Sequence, residues 1–360
     1  MKIALITDSH AGAKNDSPMF HEYTSKFFKN VFFPHLVEHN IKTLIHLGDI
    51  VDRRKFINYK TLKDFRENFV FKLWDLKIDT HVILGNHDIF HKNNSDVNAM
   101  QELFRTYDGQ TEPWIYSGPT EKVFDGLPIL FLPWINESNY DISMETIKKT
   151  RAEIIMGHLE VAGFQMHRGA PNMFGFDASI FDRFDKVMSG HYHHRSNNGT
   201  IYYLGAPYEM SWSDFQDDRG FHIFDTETRN LEYIRNPYRM YHKIFYNDKD
   251  KTFDEVLSGD FSFYENTCIK VVIQEKTNPH WFNMLMDKLY KQNPFSLTIV
   301  EDYLEDLNNP VDITIDQTKD TLEILKDYIN TLDTKQDKEK ITNFISALYE
   351  EAVSNVTEED

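Results

Sequence analysis

Five short segments hold the residue types of hydrolytic metal chemistry: Asp8-Ser9-His10, Gly48-Asp49-Ile50-Val51-Asp52-Arg53, Gly85-Asn86-His87-Asp88, Gly157-His158 and Gly190-His191-Tyr192-His193-His194. Singly, an Asp or His after a strand caps a turn or faces solvent. Five in this order within the first 195 residues point to one metal centre. Carboxylate and imidazole donors without thiolates suit manganese, iron or zinc in a hydrolytic site rather than a structural zinc. In a D-x-H segment leaving a strand, alternate side chains point the same way, so Asp8 and His10 can grip one ion together. Two cations about 3.5 to 4 Å apart need a bridging carboxylate. Asp49, at the tip of the second predicted strand, is the candidate. Gly48, Gly85, Gly157 and Gly190 are expected to let the backbone turn sharply beside the ions.

The elements that must position these residues follow a βαβ rhythm up to about residue 235. Predicted strands cover residues 3–7, 43–47, 80–84, 129–132, 153–156, 186–188, 200–204 and 221–225, and several run straight into a site segment. That placement matters because open α/β sheets bind ligands beyond the carboxyl ends of their strands. Phe20, Tyr23, Phe27, Phe28, Val31 and Phe32 recur at helical spacing and predict a helix face packed on the sheet. After Asn236-Pro237 a smaller alternation begins, with strands over 241–246, 268–274 and 295–300 and helices over 252–257 and 279–290. Beyond Pro310, Leu322, Leu325, Ile329 and Leu332, then Ile341, Phe344, Ile345, Leu348 and Ala352, mark two amphipathic helices.

At 360 residues, 41% of them apolar, the chain is long enough for two or three packed domains. No apolar run approaches the ~20 residues of a membrane span and no signal-peptide pattern precedes the first strand, so a soluble intracellular protein is expected. One cysteine, Cys268, excludes an internal disulfide; in its strand-like run it reads as a buried filler. The net charge of −18 would repel nucleic acid if spread evenly, but residues 301–360 hold 17 acidic against 5 basic residues, leaving −6 for the first 300.

The five segments resemble the metallophosphoesterase pattern D-x-H, G-D-x-x-D-R, G-N-H-D/E, G-H and G-H-x-H. The resemblance implies one divalent metal on Asp8, His10, Asp49 and His193 and a second on Asp49, Asn86, His158 and His191, both manganese. It places His87 beside the metals as the general acid, Asp88 as a partner orienting His87 or a neighbour, and Asp52-Arg53 as a loop brace or phosphate contact. His194 has no motif role and reads as a solvent-facing or outer imidazole.

The motif positions, with Tyr203-Leu204-Gly205-Ala206-Pro207 after the last His segment, are similar to the SbcD-type nuclease subunits, relatives of the meiotic-recombination-eleven repair nuclease. Pro133-Trp134, Asp218-Arg219-Gly220-Phe221 and Phe224-Asp225-Thr226-Glu227-Thr228 resemble the branch of recombination endonuclease subunits found in T-even phages. One departure is Asp52, where some members carry a His. The likeness fades after about residue 240.

It implies an α/β fold: a layered metallophosphoesterase β-sandwich flanked by helices over residues 1–238, a small α+β DNA-capping domain over 239–309, and an acidic helical ATPase-binding segment over 310–360. It further implies 3′ to 5′ exonuclease and single-strand endonuclease action in recombination and repair, with a metal-bridged hydroxide attacking phosphorus. A homodimer is implied, bound to an SbcC-type coiled-coil ATPase through its C-terminal helices and working in the cytoplasm, the host's for a phage protein. Arg53, Arg54, Lys55, Lys60 and Lys92 are candidate DNA contacts; a solvated surface cluster is the alternative for each. The helices at residues 59–76 and 98–107 are candidates for the dimer surface. The same metal chemistry would serve a phosphoesterase of small phosphoesters or cyclic nucleotides, against which the roughly 120 residues after the first domain argue. A non-catalytic scaffold is disfavoured by the intact ligand set and His87.

Overall fold

The computed structural model describes residues 1–104, 114–167 and 170–301, together with Lys338 and Thr342. The expected amphipathic helices beyond Pro310 lie outside the described residues. Residues 1–300 form one compact unit, with the division from the second falling between Val300 and Glu301.

Two six-stranded mixed sheets carry the fold. The first runs Leu231–Arg235, Gly220–Asp225, Lys2–Ile6, Thr43–His46, Asp79–Ile83, Trp114–Tyr116; the second runs Ser196–Asn197, Ile201–Tyr203, Lys186–Gly190, Ile154–His158, Leu127–Leu132, Thr120–Phe124. Lys2–Ile6 pairs parallel with Thr43–His46 and antiparallel with Gly220–Asp225. Its side chains divide by the period of two. Ile3 and Leu5 join Ile45, Ile83, Phe131, Met156 and Met188 in a core shared by both sheets, whereas Ala4 and Ile6 join the core outside the first sheet. Strands buried on both faces read as unbroken apolar runs. A third core covers the outer face of the second sheet, around Ile155, Phe181, Val187 and Tyr203.

The predicted Phe and Tyr face is a helix, Pro18–Phe27, which continues through one π turn, Phe28–Phe32, into Phe33–Glu38. A second helix, Tyr59–Phe65, passes through a π turn, Arg66–Val70, into Phe71–Asp75. The two π turns meet, with the rings of Phe28 and Phe69 5.0 Å apart. No apolar spacing announced either turn. Of the helix expected over residues 98–107, Ala99–Leu103 is present and residues 105–107 fall outside the described residues.

Residues after 239 build a three-stranded sheet, Tyr241–Asn247, Cys268–Glu275 and Ser296–Glu301, against the helix Pro279–Tyr290. That helix starts as its sequence dictates: Pro279 occupies the first turn and the Asn278 side chain caps the amides of His280 and Trp281. Phe282, Leu285, Met286 and Leu289 then bury a face on Ile269, Val271 and Ile273. This core is separate, yet Tyr241 and Cys268 pack into the core beneath the first sheet, and Cys268 is 5% exposed. No helix among the described residues is long and apolar enough to cross a membrane.

Candidate metal centre

The site segments leave the carboxyl ends of five parallel strands. Lys2–Ile6 delivers Asp8 and His10, Thr43–His46 delivers Asp49, Asp79–Ile83 delivers Asn86 and His87, Ile154–His158 ends on His158, and Lys186–Gly190 delivers His191 and His193. Three overlapping groups result: Asp8, His10 and His193; His10, Asp49 and His87; Asp49, His158 and His191. In each group the donor atoms lie within 4.8 Å of one another.

The donors face one another at hydrogen-bonding distance. A carbonyl only accepts, so the 2.7 Å contact from His158 Nδ1 to the Leu47 oxygen fixes the proton on Nδ1 of the neutral ring. Its Nε2 lone pair then points at Asn86 Oδ1, 3.0 Å away, and Asp49 Oδ2, 3.3 Å away. His191 Nδ1 meets the same Asn86 oxygen at 3.0 Å. His10 Nε2 lies 3.8 Å from the same Asp49 Oδ2, and the Nε2 atoms of His10 and His193 stand 3.1 Å apart, 4.0 and 3.8 Å from Asp8 Oδ1.

Where the tautomers turn these lone pairs inward, they repel one another unless a cation sits between them. Burial works against a charged His158, yet the Asp49 carboxylate beside it lifts that imidazole to about 9; a proton meets the need a metal ion would meet. Burial and the His158 charge push His191 down to about 3, leaving it a neutral imidazole. The donor set therefore fits divalent cations.

The backbone under these donors is strained. Asp8, His10, Asp49 and His191 have φ of 52°, 42°, 56° and 84°, a region costing about 1 to 3 kcal/mol per non-glycine residue. Among the four motif glycines only Gly48 has a positive φ, at 98°. Gly85, Gly157 and Gly190 are required by space, correcting the expectation that they serve as turns; a Cβ on Gly157 would strike the Leu132 carbonyl. A Cβ on Gly85 would strike the Asp49 carboxylate, and one on Gly190 would strike Thr7 Oγ1 and lie 3.0 Å from Asp8 Oδ2.

His87 falls in the group with His10 and Asp49, its ring edge-on to His10 with centroids 4.8 Å apart. Its Nδ1 donates to the Asp52 carbonyl at 2.5 Å, and its amide donates to Asp49 Oδ1 at 2.7 Å. The Asp88 carboxylate is engaged by the neighbouring Asp49 loop rather than by the His87 ring. This buried group accepts the amides of Asp49, Ile50, Val51 and Gly85, tying two ligand loops together. Burial and the Asp49 charge still raise it to about 6.

Arg53, expected as a loop brace or a phosphate contact, has partners within the protein. Its guanidinium pairs with Asp16 Oδ2 at 2.9 Å, donates to Asn15 Oδ1 at 2.8 Å and lies over the Phe56 ring. Asn15 and Asp16 have φ of 57°, so Arg53 clamps a left-handed turn just after His10. Lys60 pairs with Asp64 on its own helix at 2.5 Å, Arg54 has one buried guanidinium nitrogen, and Lys92 is exposed. His194 donates from Nδ1 to Asp217 Oδ2 at 2.8 Å. Two residues given no site role from sequence adjoin the centre. The Trp134 ring tilts over His191 with centroids 4.9 Å apart, and Arg219 donates to the His193 carbonyl. Trp134 follows a strand end as the motifs do, which is the signal that could have marked it.

Comparison with known proteins accords with this geometry. A family model described as calcineurin-like phosphoesterase matches residues 1–195. Exonuclease subunit 1 of Enterobacteria phage T4 is 31% identical over 355 residues, covering 98% of this chain and 99% of that protein. The SbcD component of the SbcCD nuclease of Staphylococcus epidermidis is 24% identical over 258 residues, covering 64% of this chain and 67% of that protein. Among solved structures, a dimetal phosphatase from Danio rerio aligns at 12% identity with a TM-score of 0.41, over 62% of this chain and 91% of that one.

Proposed function

The chain belongs to the calcineurin-like phosphoesterase family, and on that footing we propose that it is a metal-dependent DNA nuclease cutting phosphodiesters at the centre around Asp49. The observation that carries this reading is the convergence of Asp8, His10, Asp49, Asn86, His158, His191 and His193 on one another with His87 alongside. In the proposed assignment Asp8, His10, Asp49 and His193 hold one manganese ion and Asp49, Asn86, His158 and His191 the other. Bound there, the cations supply charge neutralisation for the phosphate and acidity for the attacking water.

The protein's own groups do the rest. The Leu47 carbonyl holds the His158 proton on Nδ1, keeping Nε2 turned to the centre. The Asp52 carbonyl likewise commits His87 Nδ1, so Nε2 is the atom from which His87 passes a proton to the leaving 3′-oxygen. Asp88 keeps the Asp49 loop in register.

The proposal extends to residues 239–309 as a small domain capping the DNA and to residues 310–360 as the contact with an SbcC-type coiled-coil ATPase. It includes 3′ to 5′ exonuclease and single-strand endonuclease action in recombination and repair, by a homodimer in the cytoplasm. The support is the near full-length likeness to a phage protein named as an exonuclease subunit.

The test offers purified protein and Mn²⁺ to linear duplex DNA, circular single-stranded DNA, p-nitrophenyl phosphate, bis-p-nitrophenyl phosphate and cyclic AMP. Degradation of both DNAs is expected, slow on the duplex without the ATPase, with 5′-mononucleotides among the products. Turnover should fall steeply with salt, because each phosphate contact on duplex DNA contributes a log–log slope of about −0.9. Fast monoester or cyclic-nucleotide hydrolysis with both DNAs untouched, also with the partner present, would establish the small-substrate reading instead.

A further inference from the structure

Buried charges connect the His193 loop to the three-stranded sheet without a break. Arg219, 3% exposed, donates from Nη1 to the His193 carbonyl and from Nη2 to Asp214 Oδ1 at 2.7 Å and Asp217 Oδ2 at 2.9 Å. The Asp217 carbonyl accepts Arg239 Nη1 at 2.7 Å, and that nitrogen also reaches Glu209 Oε1 at 3.0 Å. Glu209 is fully buried. Its other oxygen accepts the amides of Met240 and Tyr241 at 2.7 and 2.9 Å, and Tyr241 opens the first strand of the small sheet.

Buried ions such as these are poor stabilisers, since desolvation consumes most of the attraction and apolar side chains of equal volume serve a core as well. What an apolar replacement could not do is hold a carbonyl oxygen. The chain of charges ends on one carbonyl, that of the residue whose imidazole stands 3.1 Å from His10 and 3.8 Å from Asp8.

We propose that Arg219 is a positioning residue that fixes the His193 imidazole in the group it forms with Asp8 and His10, and that Arg239 and Glu209 make that position depend on how the small sheet is seated. The inference rests on reading this centre as a pair of metal sites. A shift of the Met240–Tyr241 amides is passed through Glu209, Arg239, Asp217 and Arg219 to His193. Among the described residues none of these hydrogen bonds reaches His158 or His191 directly, so the larger effect falls on the ion held by His193, and the other, which shares Asp49, responds less.

The experiment titrates the full-length protein with Co²⁺, following heat and visible absorption, so that no DNA cleavage is read. His193→Gln identifies the binding event to which His193 contributes. Arg219→Lys and Arg219→Met are expected to weaken that event by about 10- to 100-fold, the usual effect of removing an outer partner of a metal ligand, and to weaken the other event by a smaller factor. Arg239→Met, at the 23% exposed middle link of the chain, should weaken the same event by a smaller factor. Lower melting temperatures with both Co²⁺ constants unchanged would make these residues merely structural and overturn the proposal. Should the Arg219 variants not fold, unchanged constants in Arg239→Met overturn it alone. If His193→Gln itself binds as the parent does, the site reading falls and takes the proposal with it; if only the Arg variants bind as the parent does, the site reading stands.

Discussion

The buried carboxylate of Asp88 accepts the backbone amide of Asp49 at 2.8 Å, and the same carboxylate holds Ile50, Val51 and Gly85. Asp49 is thereby kept at a φ of 56° that it would not adopt alone. Asp88→Asn puts an NH₂ among N–H donors and leaves at least one of them unsatisfied, worth about 1 to 3 kcal/mol each. A fall in melting temperature is expected together with a 10- to 100-fold loss of metal affinity, read by titration. Metal binding equal to the parent's would show that the brace has no bearing on the centre.

His87→Gln tests the proton donor. The amide keeps a polar group near the Asp52 carbonyl but has no transferable proton, so metal content by elemental analysis should stay at the parent value. Turnover of the substrate the enzyme accepts should drop by roughly 10² to 10⁴. Loss of metal in this variant would instead make His87 a ligand, a role its place near His10 and Asp49 allows.

The site was legible in the sequence because its donors follow strand ends, where position along the chain and position in space coincide. The helix Pro279–Tyr290 was equally legible, since its proline, its Asn278 cap and its apolar spacing all report the same element. Pairing was not. Nothing local joins Lys2–Ile6 to Gly220–Asp225, and the short strands Trp114–Tyr116 and Thr120–Phe124 lie at sheet edges, where polar residues dilute the pattern. Nor did residue type reveal that Asp8, His10, Asp49 and His191 bend left-handed, or that Arg53 and Arg219 are held by partners far along the chain.

Gly190→Ala probes the space behind the centre. The added Cβ would meet Thr7 Oγ1 and lie 2.9 Å from His158 Nδ1 and 3.0 Å from Asp8 Oδ2, so the Lys186–Gly190 strand must move away from its ligands. Loss of metal binding and about 2 kcal/mol or more of stability is expected, typical of overpacking. Gly118→Ala is the control, for a Cβ there meets nothing within 4 Å. Equal stability of the two variants would mean that the crowding at Gly190 relaxes without cost.

Away from the centre, the small sheet carries its own acid-sensitive tie. Burial works against a charge on Asp248, which is 3% exposed, but the amides of Thr277 and Asn278 and the hydroxyls of Tyr246 and Thr277 donate to its carboxylate and hold it at about 2. A carboxyl depressed in the folded state contributes stability that is complete above its unfolded value, near 3.8, and is lost as pH falls through about 2. The shift corresponds to at most about 2.5 kcal/mol; discounted for the thin cover of a small sheet at the surface, about 1 to 2 kcal/mol is the expected gap between parent and Asp248→Asn. Amide hydrogen exchange in the Tyr241–Asn247 and Cys268–Glu275 strands reads that gap without unfolding the rest. It should be constant from pH 7 to pH 5 and close progressively below about pH 4. A gap that persists unchanged down to pH 3 would assign the loss in the variant to packing rather than to the carboxylate's charge.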